Sequence, residues 1–375
     1  MTERRGHRAA TTIRENETMS KPEMPPTSPR RRQFLTAGAA GLGAAALTTP
    51  MPERVYAQPQ FRLRMQSFLG PGTIEWEILV PRFVQRVRDM SGGAIEITAF
   101  PPGALIPTFQ LLDAVGNGVV DMGYTAMVYW RGQFPFLEWA WGVPFAFDQL
   151  DHYEYLFYEA GLNEVIEEAL HTIGVQFLAP VYSDEWGSLM SRVPIETPAD
   201  LNGLRVRSAG LGSALYQSFG ATPTIMPGEE IYTALSTGVV DAVNWGSPYG
   251  MVAGRFQEVA KYYIGPSTIK YDGEDMFMTK AVYDRMPENL QHVLKSACRD
   301  FAIERASTST YASAEAFETM RQAGVTISVF SDDDVAEMRS RVARMFAEAP
   351  KASAFEERAH EIITRTRDTL DKRVF

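Results

Sequence analysis

The segment 195–248 constrains the fold more than any other part of the chain. Two short β-rich stretches flank a helix-like run, and each ends in polar or aromatic side chains: Arg207 after the first, Asn244 and Trp245 after the second. The carboxyl ends of strands in an α/β protein face the ligand crevice. A guanidinium at such a position can hold a carboxylate through two parallel hydrogen bonds. The pattern therefore predicts an α/β protein that captures a small organic anion.

The rest of the chain also alternates between strand-like and helix-like segments. Segments 61–67 and 94–100 alternate apolar and polar side chains, whereas 75–89 is amphipathic at helical spacing. A loop rich in proline and glycine then leads into a helix-like segment, 108–116. This alternation is typical of α/β folds.

An internal sequence repeat supports this prediction. Segment 111–123 resembles 231–243, because in both a helix stops at glycine and a short Val-Val strand follows. Two similar units fit two α/β lobes around a shared cleft. The alternative is that helix, glycine and strand follow one another in many α/β proteins.

The first 57 residues are interpreted as an export signal outside the fold. Arg31 and Arg32 precede Gln-Phe-Leu, an Ala/Gly-rich run covers 37–47, and Val55-Tyr56-Ala57 fits a small-residue cleavage site. Paired arginines in this position are typical of the twin-arginine route to the periplasm. The apolar run is too short to span a bilayer, and retention as an anchor near the lipid is the alternative.

Removal of this segment leaves 27 basic and 41 acidic residues, a net charge of about −14. Such an acidic chain is a poor partner for nucleic acid, and we predict no nucleic-acid partner. An anionic ligand then needs a local positive site inside the negative field.

No enzyme motif is visible in the sequence. The four histidines after the signal lack metal-ligand spacing, and there is no glycine-rich phosphate loop or metal-binding cysteine pair. Cys298 is the only cysteine, so no intramolecular disulfide can form, and we expect a buried, inert thiol. Neither catalytic residues nor an organic cofactor are predicted.

The extended pattern resembles the solute-binding proteins of TRAP (tripartite ATP-independent periplasmic) transporters over nearly the whole exported chain. The most specific part is Pro-x-Asp-Leu-x-Gly-Leu-x-x-Arg, which ends at Arg207; the others are 103–107, 118–121, 238–248 and 276–280. The resemblance implies a two-domain periplasmic-binding-protein-like α/β fold that closes about a hinge. It also implies the membrane subunits of a transporter as partners, and it allows a homodimer through the C-terminal helices.

We predict domain boundaries from this resemblance. Domain I comprises 58–181 plus about 266–296, and domain II comprises 182–265 plus about 297–375 with the C-terminal helices.

The chain is most similar to the branch of that family that binds 2-oxo and 2-hydroxy monocarboxylates, through 241–249 and the Tyr129-Trp130 pair. The resemblance implies that Arg207 binds the substrate carboxylate. The predicted substrate-binding side chains are Arg207, Trp245, Asn244, Trp186, Lys270, Tyr129, Trp130 and Phe68. The alternatives are a structural ion pair for Arg207, ordinary core positions for the aromatic residues and a turn position for Asn244. Trp139, Trp141 and Phe145 are assigned to packing.

In that branch a cation can bridge substrate and protein with the help of acidic residues, and this chain departs at both acidic positions. Asn244 occupies the first, and the second falls at or near Lys270. We hypothesise that Lys270 supplies the positive charge and that no sodium or calcium is bound. If a metal is bound, we expect Asn244, Trp245 and nearby acids such as Asp272, Glu274 and Asp275 to hold it.

The prediction is thus a non-catalytic receptor that binds a small organic acid between two domains and delivers it to a membrane permease. The alternatives are an exported periplasmic enzyme acting on a carboxylic acid and a binding protein for a signalling receptor. The ligand stays open among keto acids, dicarboxylates and larger aromatic acids.

Overall fold

The computed structural model describes residues 58–271 and 273–372, so the predicted export signal lies outside the described residues. The strands are β1 (Phe61–Ser67), β2 (Ile95–Phe100), β3 (Met122–Thr125), β4 (Val175–Tyr182), β5 (Leu189–Ser191), β6 (Arg205–Arg207), β7 (Thr222–Thr224), β8 (Ala242–Val243), β9 (Tyr262–Gly265), β10 (Gly273–Thr279) and β11 (Thr326–Val329). The α-helices are α1 (Val80–Met90), α2 (Leu111–Gly116), α3 (Leu137–Ala140), α4 (Leu150–Tyr158), α5 (Leu162–His171), α6 (Gly210–Gln217), α7 (Gly228–Thr237), α8 (Pro248–Ala253), α9 (Lys280–Tyr283), α10 (Glu288–Gln322), α11 (Asp332–Ala347) and α12 (Ala354–Leu370). A π-helical turn, Glu75–Leu79, leads directly into α1.

Two mixed sheets organise the chain. The first has the order β2-β1-β3-β10-β4, in which β1 is parallel to β2 and β3 while β10 is antiparallel to β3 and β4. The second has the order β11-β9-β5-β8-β6-β7, in which β6 is parallel to β7 and β8. Strand β10 therefore returns from late in the sequence to the middle of the first sheet. The predicted α/β class with two lobes is confirmed, whereas the exact domain boundaries stay a prediction.

The internal sequence repeat corresponds to two equivalent structural units. Gly118 and Gly238 follow α2 and α7 with φ angles of 71° and 74°, which glycine adopts without steric cost. The predicted Val-Val strands are wrong in their position, because β3 and β8 begin only after the valines and the aspartate, at Met122 and Ala242. The aspartate before each strand binds the same kind of partner. The backbone N–H of Arg64 donates to Asp121 Oδ2 at 2.8 Å, and that of Arg205 donates to Asp241 Oδ2 at 2.9 Å.

Helix α10 runs for 35 residues and contacts both β4 and α8. Its buried stripe recurs at helical spacing and includes Phe301, Arg305 and Ser309, so one charged side chain lies among the apolar and small ones. Cys298 lies on the same stripe and is 0% exposed. The expected burial of Cys298 is therefore confirmed, and burial raises the pKa of its thiol.

The C-terminal helices return to the rest of the molecule. Ser331 and Asp334 form a capping box at the start of α11. Helix α12 packs against α5, and Arg358 forms an ion pair with Glu168 there. Within 58–271 and 273–372, no helix combines the length and apolar character that crossing a membrane requires.

Candidate functional site

A cavity of about 480 Å³ lies between side chains that come from both sheets and from α10. Its volume is within the range of ~300–1,000 Å³ typical of sites for drug-sized ligands. The wall includes Phe68, Glu75, Tyr129, Trp141, Trp186, Arg207, Glu229, Trp245, Tyr249, Glu274 and Arg305. The surface is thus mainly aromatic, with charged groups at separate places.

Arg207 is positioned by the motif that precedes it. Thr197 and Asp200 form a capping box around a 3₁₀ turn, Pro198–Leu201, and Gly203 then turns the chain with φ of 80°. Backbone N–H groups of Thr197 and Glu196 donate to the Asp200 carboxylate and lower its pKa. The conformation delivers the chain into β6, whose last residue is Arg207.

The guanidinium of Arg207 is fixed by main-chain carbonyls rather than by acids. Nη2 donates to the carbonyl of Met226 at 2.8 Å and Nη1 donates to the carbonyl of Asn244 at 2.9 Å. The side chain of Arg207 is almost fully buried, with 1% of the residue exposed. Among the residues that the structure describes, no carboxylate lies within 4.0 Å of it. Burial lowers its pKa, yet an arginine keeps its proton at neutral pH.

A buried guanidinium that lacks an anionic partner carries an uncompensated charge, which is costly in a protein interior. Nη1 uses only one of its two N–H groups on Asn244, and the side chain faces the cavity. The arrangement is therefore suited to a carboxylate that enters from the cavity and takes a charge-assisted hydrogen bond.

Aromatic rings surround this charge. The Arg207 Cζ lies 4.7 Å from the centroid of the Trp245 ring, a cation–π geometry. Tyr129 OH lies 3.4 Å from Arg207 Nη2, and burial raises the pKa of this hydroxyl to about 12, so it stays protonated. Phe68 packs edge-on against Trp245 with ring centroids 6.2 Å apart. Five of the predicted residues therefore lie together on the cavity wall: Phe68, Tyr129, Trp186, Arg207 and Trp245.

Trp141 also lines the cavity, although the sequence analysis assigns it to packing. Its ring stands edge-on to that of Trp186, with centroids 4.3 Å apart and an angle of 82°. The two rings form one continuous wall. No sequence signal separates Trp141 from Trp139, which packs in the core against Phe346.

Asn244 lies behind the cavity wall and does not line the cavity itself. Its carbonyl accepts from Arg207, while its Nδ2 donates to the carbonyl of Ser188 at 3.0 Å and to Tyr216 OH at 3.2 Å. The residue is 0% exposed. Asn244 thus orients Arg207 from behind.

Two predicted residues lie away from the cavity. Trp130 is buried in the core beside Tyr129. Lys270 is partly exposed, and its Nζ pairs with Glu185 Oε1 at 2.9 Å. The reason is the alternation of an extended segment: Ile269 pairs with Trp186 and turns inward, so the next side chain, Lys270, turns outward. The expectation that Lys270 supplies the positive charge of the ligand site therefore does not match its position.

A buried charged cluster, which is not predicted from the sequence, lies at another part of the cavity wall. Arg305 Nε lies 2.9 Å from Glu75 Oε1, and Arg305 Nη2 donates to Glu274 Oε1 at 3.0 Å. Tyr124 OH donates to the other oxygen of Glu274. Burial raises the pKa of Glu274 and that of Tyr124. An arginine on the apolar stripe of a long helix is the signal that could have identified this cluster.

The donor atoms near Arg207 do not fit a bound cation. The Oδ1 of Asn244 is a buried oxygen without a hydrogen-bond partner among the described residues, but it is neutral, and Asn244 does not line the cavity. Sites for calcium need six to eight oxygens, usually including carboxylates. Glu274 is paired with Arg305, and Asp275 accepts from the backbone N–H of Met127 at 2.8 Å. Asp272 lies outside the described residues. Within 58–271 and 273–372 no group of three or more His, Cys, Asp or Glu side chains could hold a metal ion.

Comparison with known proteins identifies the family. The model of bacterial extracellular solute-binding protein family 7 (DctP) matches residues 67–352. This chain belongs to that family. The monocarboxylate 2-oxoacid-binding periplasmic protein of Nostoc sp. is 30% identical over 273 residues, 72% of this chain and 74% of the relative. The 2,3-diketo-L-gulonate-binding periplasmic protein of Escherichia coli is 25% identical over 254 residues, 67% of this chain and 76% of the relative.

Solved structures of TRAP solute-binding proteins share the fold of this family 7 protein. The protein from Bordetella bronchiseptica, a mixed-occupancy dimer with calcium and picolinate in one site, has a TM-score of 0.78 at 22% identity. The match covers 84% of this chain and 94% of that one. The protein from Pseudoalteromonas atlantica, with bound sodium and pyruvate, has a TM-score of 0.77 at 23% identity and covers 83% of this chain and 95% of that one. The predicted two-domain fold and the family are therefore confirmed.

Proposed function

We propose that this protein is the extracytoplasmic receptor of a TRAP transporter, which binds a small organic acid and delivers it to the membrane subunits. The observation that carries the proposal is the buried Arg207 guanidinium, which faces the cavity and has no carboxylate partner among the described residues. A ligand carboxylate supplies the missing negative charge in a site with little access for water. Removal of one partner from such a buried charge pair costs on the order of 2–5 kcal/mol.

A 2-oxo or 2-hydroxy acid is the ligand class we propose. The names of two relatives support it, since one binds monocarboxylate 2-oxoacids and the other 2,3-diketo-L-gulonate. Trp245, Trp186 and Tyr129 then enclose the carbon skeleton, and Arg207 takes the carboxylate. Closure of the lobes, with domain boundaries near residues 181 and 266, shifts the protein from an open to a closed population when the acid binds.

We propose a periplasmic location reached by the twin-arginine route. The periplasmic relatives support the location, and Arg31-Arg32 before Gln-Phe-Leu supports the route. The partners are the membrane subunits of the transporter. A homodimer is part of the proposal, supported by the dimer of the Bordetella bronchiseptica protein.

We further propose that the receptor is non-catalytic and binds its ligand without a bridging cation. Arg207 already provides the positive charge, and the nearby oxygens are an amide and main-chain carbonyls. In this respect the protein differs from the two structures whose sites hold calcium or sodium. A metal between Arg207 and Asn244 would add a second positive charge beside the first.

A thermal-shift screen of the purified protein tests the proposal. Pyruvate, 2-oxobutanoate, lactate, pyroglutamate and picolinate are added with and without EDTA. A ligand that binds only the folded state raises the Tm by mass action. At a concentration a hundred times its Kd, it adds about 2.7 kcal/mol to the free energy of unfolding. A shift that persists in EDTA and in a sodium-free buffer supports a metal-free receptor, because EDTA removes calcium but not sodium. A shift that EDTA abolishes and calcium restores contradicts the metal-free part, and no shift with any acid contradicts the receptor.

A further inference from the structure

The cluster of Glu75, Glu274 and Arg305 borders the same cavity as Arg207 and carries a net negative charge. Two carboxylates face one guanidinium, and no other cation of the described residues pairs with them. All three side chains are nearly completely buried, with 2%, 5% and 4% of the residue exposed. They come from the π-helical turn before α1, from β10 and from α10, so three separate elements hold the cluster in place.

Two side chains of this cluster have polar atoms without a hydrogen-bond partner in the part of the chain that the structure describes. Both oxygens of Glu274 are used, one by Arg305 Nη2 and one by Tyr124 OH. Glu75 uses only Oε1, in its ion pair with Arg305 Nε. The Nη1 of Arg305 is buried and has no hydrogen-bond partner among the described residues. Arg305 Nη1, with its two N–H groups, and the second carboxylate oxygen of Glu75 are therefore left without partners within 58–271 and 273–372, on two side chains that line the cavity.

We propose that Glu75 and Arg305 recognise a neutral hydroxyl or carboxamide on the part of the ligand remote from its carboxylate, and that they exclude a second carboxylate. This inference rests on the proposed function, in which Arg207 takes the carboxylate. A hydroxyl or amide donates to Glu75 and accepts from Arg305 Nη1, so it completes both groups at once. An apolar end leaves both unpaired, which costs binding energy.

The charge of the cluster decides against the other end groups. A second ligand carboxylate would meet two protein carboxylates and a guanidinium that they already neutralise, which is unfavourable in a buried site. An ammonium is attracted by the net negative charge, but it has no acceptor for Arg305 Nη1 and places a cation beside it. A neutral group that both donates and accepts is the one that fits.

The size of the cavity agrees with a ligand that extends beyond the carboxylate site. At about 480 Å³ it is far larger than a three-carbon acid requires, and aromatic rings line the space around Arg207. The ligand of this receptor is then a monocarboxylate with an apolar middle and a neutral polar end.

A matched ligand panel tests this inference on the unmodified protein. Straight-chain 2-oxo acids of four to eight carbons are compared by calorimetry as unsubstituted 2-oxoalkanoates and as their ω-hydroxy, ω-amino and ω-carboxy derivatives. At the best chain length, we expect the hydroxy acid to bind about tenfold or more tightly than the alkanoate and the dicarboxylate. Dicarboxylates or amino acids that bind as tightly as the hydroxy acid overturn the inference, and so does indifference to the end group.

The variant Glu75→Gln tests the assigned residue. It keeps the shape of the side chain but removes the negative charge, so the preference for hydroxy acid over dicarboxylate should fall by about tenfold. The control is Glu77→Gln, two residues further along the same turn and exposed, which should leave the preference unchanged. An unchanged preference in Glu75→Gln overturns the assignment.

The two proposals fail in different ways. If the acids bind and Arg207→Gln abolishes binding while the end group has no effect, the receptor function stands and only the role of the cluster is wrong. If no acid of any length binds, the proposed function itself is wrong, and the inference falls with it.

Discussion

Replacement of Arg207 by glutamine separates its role in ligand binding from its role in folding. In the folded protein the guanidinium donates to the carbonyls of Met226 and Asn244 and has no acidic partner among the described residues. Arg207 makes two hydrogen bonds to the carbonyl of Met226 and one to that of Asn244, and the loss of each costs about 1 kcal/mol. Loss of an uncompensated buried charge offsets part of this cost, because the desolvation of that charge opposes folding. The ligand-free Tm should therefore change by only a few degrees.

Binding should respond much more strongly than stability. Truncation of one partner in a buried charge pair costs on the order of 2–5 kcal/mol, because the ligand carboxylate is then desolvated without a cation. This corresponds to a rise in Kd of about 30-fold to several thousand-fold. In the ligand-free protein, the lost hydrogen bonds and the relieved desolvation of the charge have opposite effects on stability and partly cancel. In the complex the ligand carboxylate compensates the charge of Arg207, so removal of that charge only weakens binding.

Calorimetry with the tightest acid from the screen measures the Kd, and a thermal scan measures the ligand-free Tm. The control is Arg205→Gln, two residues earlier on β6, whose side chain is half exposed and pairs with Asp241 instead of facing the cavity. The control should bind as the unmodified protein does. If Arg207→Gln retains a Kd within about threefold of the unmodified protein, Arg207 does not hold the carboxylate and the reasoning is refuted.

Three further predictions concern other parts of the chain. Lys270→Ala should leave the Kd unchanged within about twofold by calorimetry, because Lys270 pairs with Glu185 outside the cavity; a large loss would contradict this placement. Arg205 lowers the pKa of Asp241, so this carboxylate stabilises the fold above its unfolded pKa of about 3.9 and less as the pH falls through the folded value. Urea unfolding should show the deficit of Asp241→Asn shrinking below about pH 4, and a deficit independent of pH would be inconsistent with it. Lys-Lys in place of Arg31-Arg32 should abolish export in cell fractionation, whereas unchanged export would exclude the twin-arginine route.

Much of the fold could be predicted from local sequence patterns. Strand β1 has the predicted bounds, 61–67, because alternating side chains reveal a half-buried strand wherever it pairs. The glycines after α2 and α7 are equally readable, since a positive φ at a helix end favours glycine whatever the tertiary context. The order of the strands could not be predicted from local patterns, because β10 comes from far along the chain and enters the middle of the first sheet.

In the candidate site, too, some residues could be predicted from local sequence and others could not. Arg207 could be found because its position depends on a short local motif, a capped turn followed by a glycine and a strand. Lys270 was misplaced because a shift of one residue along an extended segment reverses the direction of a side chain. The register of that segment depends on its pairing with Trp186, which no local pattern specifies.

The sequence by itself determined the alternation of strands and helices, the repeated helix-glycine-strand unit, and the arginine at the end of β6. These features depend on interactions between residues close in sequence. Tertiary structure alone decided that Arg305 lies between Glu274 and Glu75, the second of which is 230 positions earlier in the chain. It also decided that Trp141 faces Trp186 and that Arg207 lacks an acidic neighbour among the described residues. The physical reason is that burial and charge compensation depend on which distant segments pack together, and the local pattern of a chain contains no information about that packing.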